Sequence, residues 1–503
     1  MATDGTPEIP RATPARQRLE HVKSVAVIGA GVSGISAAAH LLQAGLEVVL
    51  FERSGSIGGV WKFDPRAPLT PPFPNQTPPA AASQYSLTPD GLTTEETSIY
   101  HASPTPCYAG LCNNIDTSVM RTSLQEWPSG TPSSITAAMV SDYIGELAKT
   151  QHVVPHIQFW TRVESAVKPQ GSAQWHVRTK TFIRDGDSFV FDIRENRFDA
   201  VVVATGHYDV PRVPDIPGLA TWQARFPGRV AHSKAYRTPD MFKDATVLVI
   251  GAGVSAYDII HAIHSVGGRT YQSSRDPKRA DKAKLEGLPD SCERVPGIET
   301  FLAEDTGPAW KADSADPVPG RVVLSGGREL TGIHYVVVAT GYITTYHFLG
   351  DLEQPTLPLD EADEKVIITA DAYTVHNLHK DIFYIPDPTL AFIGVPSEAS
   401  TFSLFDFQAK ALAKVFTGQA QLPSREDMAK LHRERKLALK PGKKLHGLGL
   451  GDVEYANDIL GWINGDLQRA GLPPMTGYDD RWFEGFKRLR ESVASIRPDV
   501  EQV

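Results

Sequence analysis

The chain is predicted to be an α/β protein of two Rossmann-like dinucleotide-binding domains, the second inserted in the first. Three observations predict it. A unit of strand, GAGVSG turn, helix and strand begins near residue 22. A second unit, with GAGVSA as its turn, begins near residue 245. Two similar strings, VVVATGHYDVP at 201–211 and VVVATGYITT at 336–345, each close a segment that a Gly-rich turn opened.

The elements follow in order. Residues 25–28 are apolar and rich in β-branched side chains, as a buried parallel strand requires. A small-residue helix runs from Ser33 to about Ala44, ended by Gly45, and 47–52 form the next strand. Seven prolines fall within 65–79, and the stretch on to about residue 105 has no periodicity, so a long loop is expected there. Residues 163–200 alternate between turn signals and read as a small β-meander. Residues 247–250, a helix to about Val266 and RTYQSSR repeat the first unit. HRERK at 432–436 and two pieces beginning at Trp462 and Trp482 read as C-terminal helices. The expected organisation is a flexible tail (1–21), a first domain (22–211) with a Pro-rich insertion at 64–105, a second domain (212–340), and a return to the first with a helical segment (341–503). A chain of 503 residues needs such a division, because single cores stop growing near ~250–300 residues.

The two turns differ in what they select. Gly29 permits the tight turn, Gly31 lets backbone approach a pyrophosphate, and Gly34 lets helix pack on strand. Ser33 lies at the helix N-terminus, where free N–H groups and the dipole favour an anion. Glu52, near the ~20-residue offset expected of an acid that binds a ribose hydroxyl, ends the next strand. The second turn keeps Gly251 and Gly253 but carries Ser255 and Ala256, with alanine at the third glycine place. In place of Glu52 it has Ser273, Ser274 and Arg275, with Lys278 and Arg279 nearby. An acid repels a 2′-phosphate, whereas an arginine with hydroxyls binds one. The first site is therefore expected to take FAD and the second NADPH, a pair suited to hydride transfer.

Composition narrows the class. Basic residues number 50 against 59 acidic, net −9, which speaks against a nucleic-acid coat. No stretch of ~18 uncharged apolar residues predicts a membrane span, and the N-terminus lacks the apolar core of a signal peptide. Three cysteines argue against a disulfide framework and fit a reducing, cytoplasmic compartment. Cys107 and Cys112 have a CxxxxC spacing, which keeps a flavin disulfide reductase open as an alternative.

FPGRVAHSKAY at 226–236 places Phe226, Gly228, His232 and Tyr236 on the pattern FxGxxxHxxxY. GGVWKF at 58–63, YAGLCNNI at 108–115, VVATGY, LAFIGV at 390–395 and FQAK at 407–410 follow the same family's order. Over about residues 22–420 the chain resembles the class B flavin-dependent monooxygenases, in the flavin-containing monooxygenase branch, of a soluble microbial or fungal type. The resemblance implies an NADPH- and O2-dependent enzyme that forms a C4a-hydroperoxyflavin and passes one oxygen to nitrogen or sulfur of an amine, hydroxylamine or thioether. It implies Gly29, Gly31, Gly34 and Glu52 at the FAD diphosphate and ribose, Gly59 and Trp61 in a flavin-side loop, and Gln408 near the flavin. Gly251, Gly253, Ser255, Ala256, Ser274 and Arg275 match its NADP site. Asn114 matches an asparagine at the reactive face of the flavin; the preceding residue, threonine in the family, is Asn113 here. His232 is expected chiefly to link the domains, with direct chemistry as the other reading. Tyr236 stands where the Baeyer–Villiger branch carries tryptophan, so oxygenation of a ketone is the alternative reaction. A membrane-anchored branch of the family ends in a hydrophobic helix, whereas this chain ends in IRPDVEQV and is expected to be soluble. The substrate and oligomeric state are not readable; a homodimer is one expectation.

Overall fold

The computed structural model describes residues 16–19, 21–78, 91–275, 287–304, 314–439 and 444–496. A seven-stranded sheet runs in the order Leu378–His379, Phe383–Tyr384, Leu390–Phe392, Ala200–Val203, Ser24–Ile28, Glu47–Phe51, Ile157–Gln158. Its last five strands are parallel neighbours. The central ones read AVVV and SVAVI with almost every side chain buried, as strands covered on both faces must. The helix Val32–Gln43 lies against them and is itself covered by Thr401–Phe416 and Ala137–Thr150. Ten of its positions are buried, and Gly34, Ser36, Ala37, Ala38 and Ala39 are small enough for neighbours to close on several sides. His40 and Asp406 join the first helix to Thr401–Phe416 at 2.7 Å inside this core.

The second sheet has five strands, all parallel: Val230–His232, Tyr335–Val338, Thr246–Ile250, Arg269–Ser273 and Cys292–Val295. Both sheets therefore have a Gly-rich turn at the C-terminal end of an inner strand. The chain crosses into the second unit beside Val210–Pro211 and returns beside Tyr342–Ile343, and these two short strands pair antiparallel. The strands Thr161–Val167, Trp175–Asp185 and Ser188–Phe198 form a separate antiparallel meander.

Two expectations are corrected. The stretch to residue 105 is not all loop: Thr94–His101 is helical. Thr93 and Glu96 form a reciprocal capping box, which supports a helix too short for a periodicity signal. Arg66 and Arg184 both reach Glu95 at 2.6 Å, which ties this helix to the proline-rich strand of chain and to the meander. The tail is also drawn in at its end. Arg16–Gln17 pairs antiparallel with Leu422–Pro423, Arg18 donates to Gly418 O, and Leu19 is buried. Residues 1–15 and 79–90 lie outside the described residues, as do Lys278 and Arg279. Among the described residues no helix is long and apolar enough to cross a membrane.

Five buried histidines give the fold a pH dependence. Burial pushes His101, His232 and His379 down to about 3, and His376 and His432 down to about 4. Each is neutral when folded and takes up a proton on unfolding below about pH 6.5. A depressed folded value means stability is complete above about pH 6.5 and is lost as pH falls toward about 4, by up to ~1.4 kcal/mol per pH unit per histidine. The thermal unfolding midpoint is expected to be clearly lower at pH 5 than at pH 7.5, and H101Q to narrow that gap. Equal midpoints at the two pH values would contradict this account.

Candidate active site

The first turn is held by backbone. Gly29 donates to Phe51 O at 2.8 Å and adopts φ +104°. A Cβ there would stand 2.7 Å from Ala204 O, and one on Gly34 would stand 1.8 Å from Gly29 O. The helix can start this close to its strand only if residue 34 has no side chain. No side chain caps that helix N-terminus, so its first N–H groups remain available to an anion. Gly58 donates to Ala30 O, and Gly59 at φ +56° faces Gly31; a Cβ on Gly59 would lie 2.9 Å from Gly31 Cα. Two glycine backbones thus pack against each other with no room for a methyl between them, and with no side chain on either an anion can approach both main chains closely. Glu52 is buried and braces this contact: Oε2 accepts from Ala30 N–H and Oε1 from Ser54 N–H, each at 2.8 Å.

The second turn is more open. Gly251 donates to Ser273 O and adopts φ +125°, with a virtual Cβ 2.2 Å from Ala339 O. A Cβ on Gly253 would meet nothing within 4 Å, and Ala256 is fully buried where the first turn needs Gly34. Here the helix stands far enough off for one methyl. The strand register pairs Ile28 with Phe51 and Ile250 with Ser273, so Ser274 is the counterpart of Glu52, and Arg275 follows it. Ser273 is buried; its carbonyl accepts from Gly251 of the turn, and its hydroxyl donates to Pro296 O at 2.9 Å. Arg275 is exposed and Ser274 half-buried.

Other expected residues gather around the first turn. Trp61 meets Phe402 edge-on at 6.4 Å between ring centres. A Cβ on Gly394 would lie 2.7 Å from Ser33 Oγ, and Gly394 N–H donates to Gln408 Oε1. Gln408 is fully buried and its Nε2 donates to Tyr455. With one bond at each end of its amide, Gln408 is fixed in the core and supports the Gly394 turn. Asn113 is likewise pinned: its Nδ2 donates to Ile115 O and Ser133 O, and its Oδ1 accepts from Ile135 N–H. Asn114 is exposed, the one of the pair whose amide faces outward. The two expected groups are therefore each assembled, with Asn114 on the 108–115 segment that runs from one to the other.

The FxGxxxHxxxY residues lie at the crossing between units. Phe226 is fully buried, Gly228 adopts φ +78°, and Tyr236 stacks near Phe242. His232 Nδ1 accepts from Lys234 N–H, so Nε2 carries the proton and donates to Gly341 O at 3.0 Å. With both ring nitrogens occupied by backbone, His232 joins the two chain crossings and has no atom left for proton transfer.

Sequence reasoning missed the ions beside it. Lys234 is 2% exposed and donates to Asp209 Oδ1 (2.8 Å), Asp209 O and Ser103 Oγ. Arg53 reaches the other oxygen of Asp209 at 2.6 Å. Against the effect of burial, Arg53 and Lys234 hold the Asp209 carboxyl well below the usual range, while burial lowers Lys234. Only the contact between distant segments shows this cluster; Lys234 was visible merely as a variable place within the motif. Cys107 is buried beside the Trp61 carbonyl, and burial pushes its thiol up to about 11. Cys107 and Cys112 are both free thiols, and among the described residues no His, Cys, Asp or Glu cluster suits a metal.

A model described as Flavin-binding monooxygenase-like matches residues 22–68 and 102–279. The flavin-containing monooxygenase ustF2 of Aspergillus flavus is 36% identical over 490 residues, covering 93% of this chain and 97% of its own. The flavin-containing monooxygenase iboF of Amanita muscaria is 31% identical, with 88% of each chain covered. Among solved structures, S-allyl-L-cysteine S-oxygenase from Allium sativum superposes with a TM-score of 0.68 at 23% identity, covering 96% and 95% of the two chains. An open form of cyclohexanone monooxygenase does so at 0.57 and 15%, covering 92% and 100%. The last two show a shared fold.

The two turns predict opposite responses to one methyl. G34A forces a clash with backbone, expected to cost at least ~1–3 kcal/mol and to lower the thermal midpoint. G253A meets open space and is expected to leave the midpoint unchanged. Differential scanning fluorimetry of the two variants checks this; equal shifts would refute the packing difference.

Proposed function

The chain belongs to the flavin-containing monooxygenase family and is an FAD- and NADPH-dependent monooxygenase; on that premise we propose that it transfers oxygen to nitrogen or sulfur of a small amine, hydroxylamine or thioether. The observation that carries the cofactor assignment is the contrast between Glu52 and Ser274-Arg275 at equivalent strand ends. Tyr236, in the place where the Baeyer–Villiger branch has tryptophan, favours a heteroatom over a ketone. The S-oxygenase named above supports sulfur as an acceptor.

Bound FAD accepts hydride and activates dioxygen; the residues around it bind, orient and exclude water. In this reading the bare Gly31 and Gly59 backbones and the uncapped helix N-terminus receive the FAD pyrophosphate at their edge. Glu52 keeps lone pairs for a ribose hydroxyl while its backbone bonds hold the turn. Ser274 and Arg275 receive the 2′-phosphate of NADPH, and Gly253 leaves room for its pyrophosphate. Asn114 offers an amide donor and acceptor at the flavin's reacting face. The disulfide-reductase alternative is disfavoured by Cys107, whose high thiol pKa is the reverse of what a reactive thiolate needs.

Oxygen-dependent NADPH consumption, with product masses, across an amine, a hydroxylamine, a thioether and a ketone tests the reaction. N- or S-oxides are expected; an ester from the ketone as main product would overturn the proposal. R275A is expected to raise KM for NADPH ~10–100-fold, the worth of a charge-assisted contact, with little change for NADH. G253A is expected to raise KM for NADPH without loss of stability. Equal effects of R275A on both coenzymes would refute the 2′-phosphate assignment.

A further inference from the structure

The 108–115 segment is anchored to both units at once. At its start the Tyr108 phenol donates to Asp258 Oδ2 at 2.7 Å. Asp258 lies on Val254–Ser265, the helix that follows the second Gly-rich turn. Ala109 N–H donates to Arg237 O, next in sequence to Tyr236, and the Tyr108 ring packs at 5.2 Å from that of Tyr236. Immediately upstream, Cys107 touches the carbonyl of Trp61 in the opposite unit. Further along, Leu111 O accepts from Ala137 N–H, and Asn113 is fixed by three bonds to Ile115, Ser133 and Ile135. Asn114 comes directly after this second anchor and is exposed.

We propose that Tyr108 and Asp258 form a positioning pair that couples seating of the nicotinamide coenzyme on the second turn to placement of the Asn114 amide. The proposal rests on the reading of Asn114 as the flavin-facing residue. A coenzyme that bears on the N-terminus of Val254–Ser265 bears on a helix hydrogen-bonded, one turn along, to Tyr108. Between Tyr108 and Asn114 lie only five residues, held at both ends, so a shift at one anchor has little slack in which to vanish. Burial and the Asp258 carboxylate hold the Tyr108 phenol well above its ordinary pKa, so it stays a donor throughout the working pH range. The Tyr236 hydroxyl beside it is buried with no partner among the described residues, so the Tyr108–Asp258 bond is the side-chain polar tie at this contact, beside the main-chain bond from Ala109 to Arg237.

The test uses FAD-loaded Y108F, D258A, their double variant and D258N, with N114A as reference. Two readouts are taken: the perturbation of flavin absorbance on titration with NADP+, and the partition of consumed O2 between oxygenated thioether and hydrogen peroxide. Y108F and D258A are each expected to raise the peroxide share severalfold and to shrink the NADP+-induced spectral change. The double variant should be no worse than either single one, because one bond is lost once. D258N, which keeps an acceptor for the phenol, should restore both readouts. Additive effects in the double variant, or singles identical to the parent, would overturn the pair. If N114A leaves peroxide share and spectrum unchanged, the reading of Asn114 fails and the proposal with it. If N114A uncouples while Y108F does not, the pair alone fails. Y108F removes one oxygen and retains the ring packing, so its thermal midpoint identifies any loss due to folding.

Discussion

The architecture depends on a contact between backbones that no side chain could replace. Gly34 must bring the first helix so near the end of its strand that a methyl would overlap the carbonyl of Gly29. Once that helix is seated, its small residues admit Thr401–Phe416 and Ala137–Thr150, and His40 meets Asp406 across the core. The opposing Gly59 then faces Gly31, and Glu52 binds the amides on either side. A surface of bare backbone braced by one carboxylate results from packing, before any ligand arrives. This is preorganisation: the amides are aimed and partly desolvated in advance, so binding an anion costs little reordering.

The second unit repeats the topology with one constraint relaxed. Ala256 tolerates what Gly34 cannot, and Gly253 looks onto open space. A coenzyme that must arrive and leave in each cycle is served by a shallower turn, whereas a resident flavin is served by a tight one. On the proposed cofactor assignment, the same strand–turn–helix device acts as a permanent mount in one place and as a landing site in the other.

Much of this was legible in the chain. Strand, turn and helix patterns have short periods, and glycines at fixed offsets report backbone requirements that only glycine meets. The meander was visible from alternation, and the Glu52 to Ser274 contrast from chemistry at equivalent places. What escaped was set by contacts between distant segments. The Thr94–His101 helix is stabilised by a capping box and by arginines from two other segments, with too few turns to display a face. A strand end does not reveal which side chain turns inward, so the bond from the Ser273 hydroxyl to Pro296 is invisible in sequence. Gln408 and Asn113 carry amides that look functional in sequence yet are bonded within the protein, Asn113 to backbone and Gln408 to the Gly394 N–H and the Tyr455 hydroxyl. Lys234, Asp209 and Arg53 meet only because two chain crossings lie together, and no local pattern encodes that.

Those crossings have a consequence of their own. Val210–Pro211 and Tyr342–Ile343 are hydrogen-bonded neighbours, so the inserted unit leaves and rejoins its host at a single doorway. An insert with adjoining ends can be lengthened, trimmed or exchanged without rerouting the host chain, since the host sees the same short gap whatever fills it. On the proposed cofactor assignment, coenzyme choice is for that reason carried by one block of chain. A block transplanted from a relative between the two short strands has to bring its own partners for Tyr108, Asp209 and Ala109, which Asp258, Lys234 and Arg237 supply here.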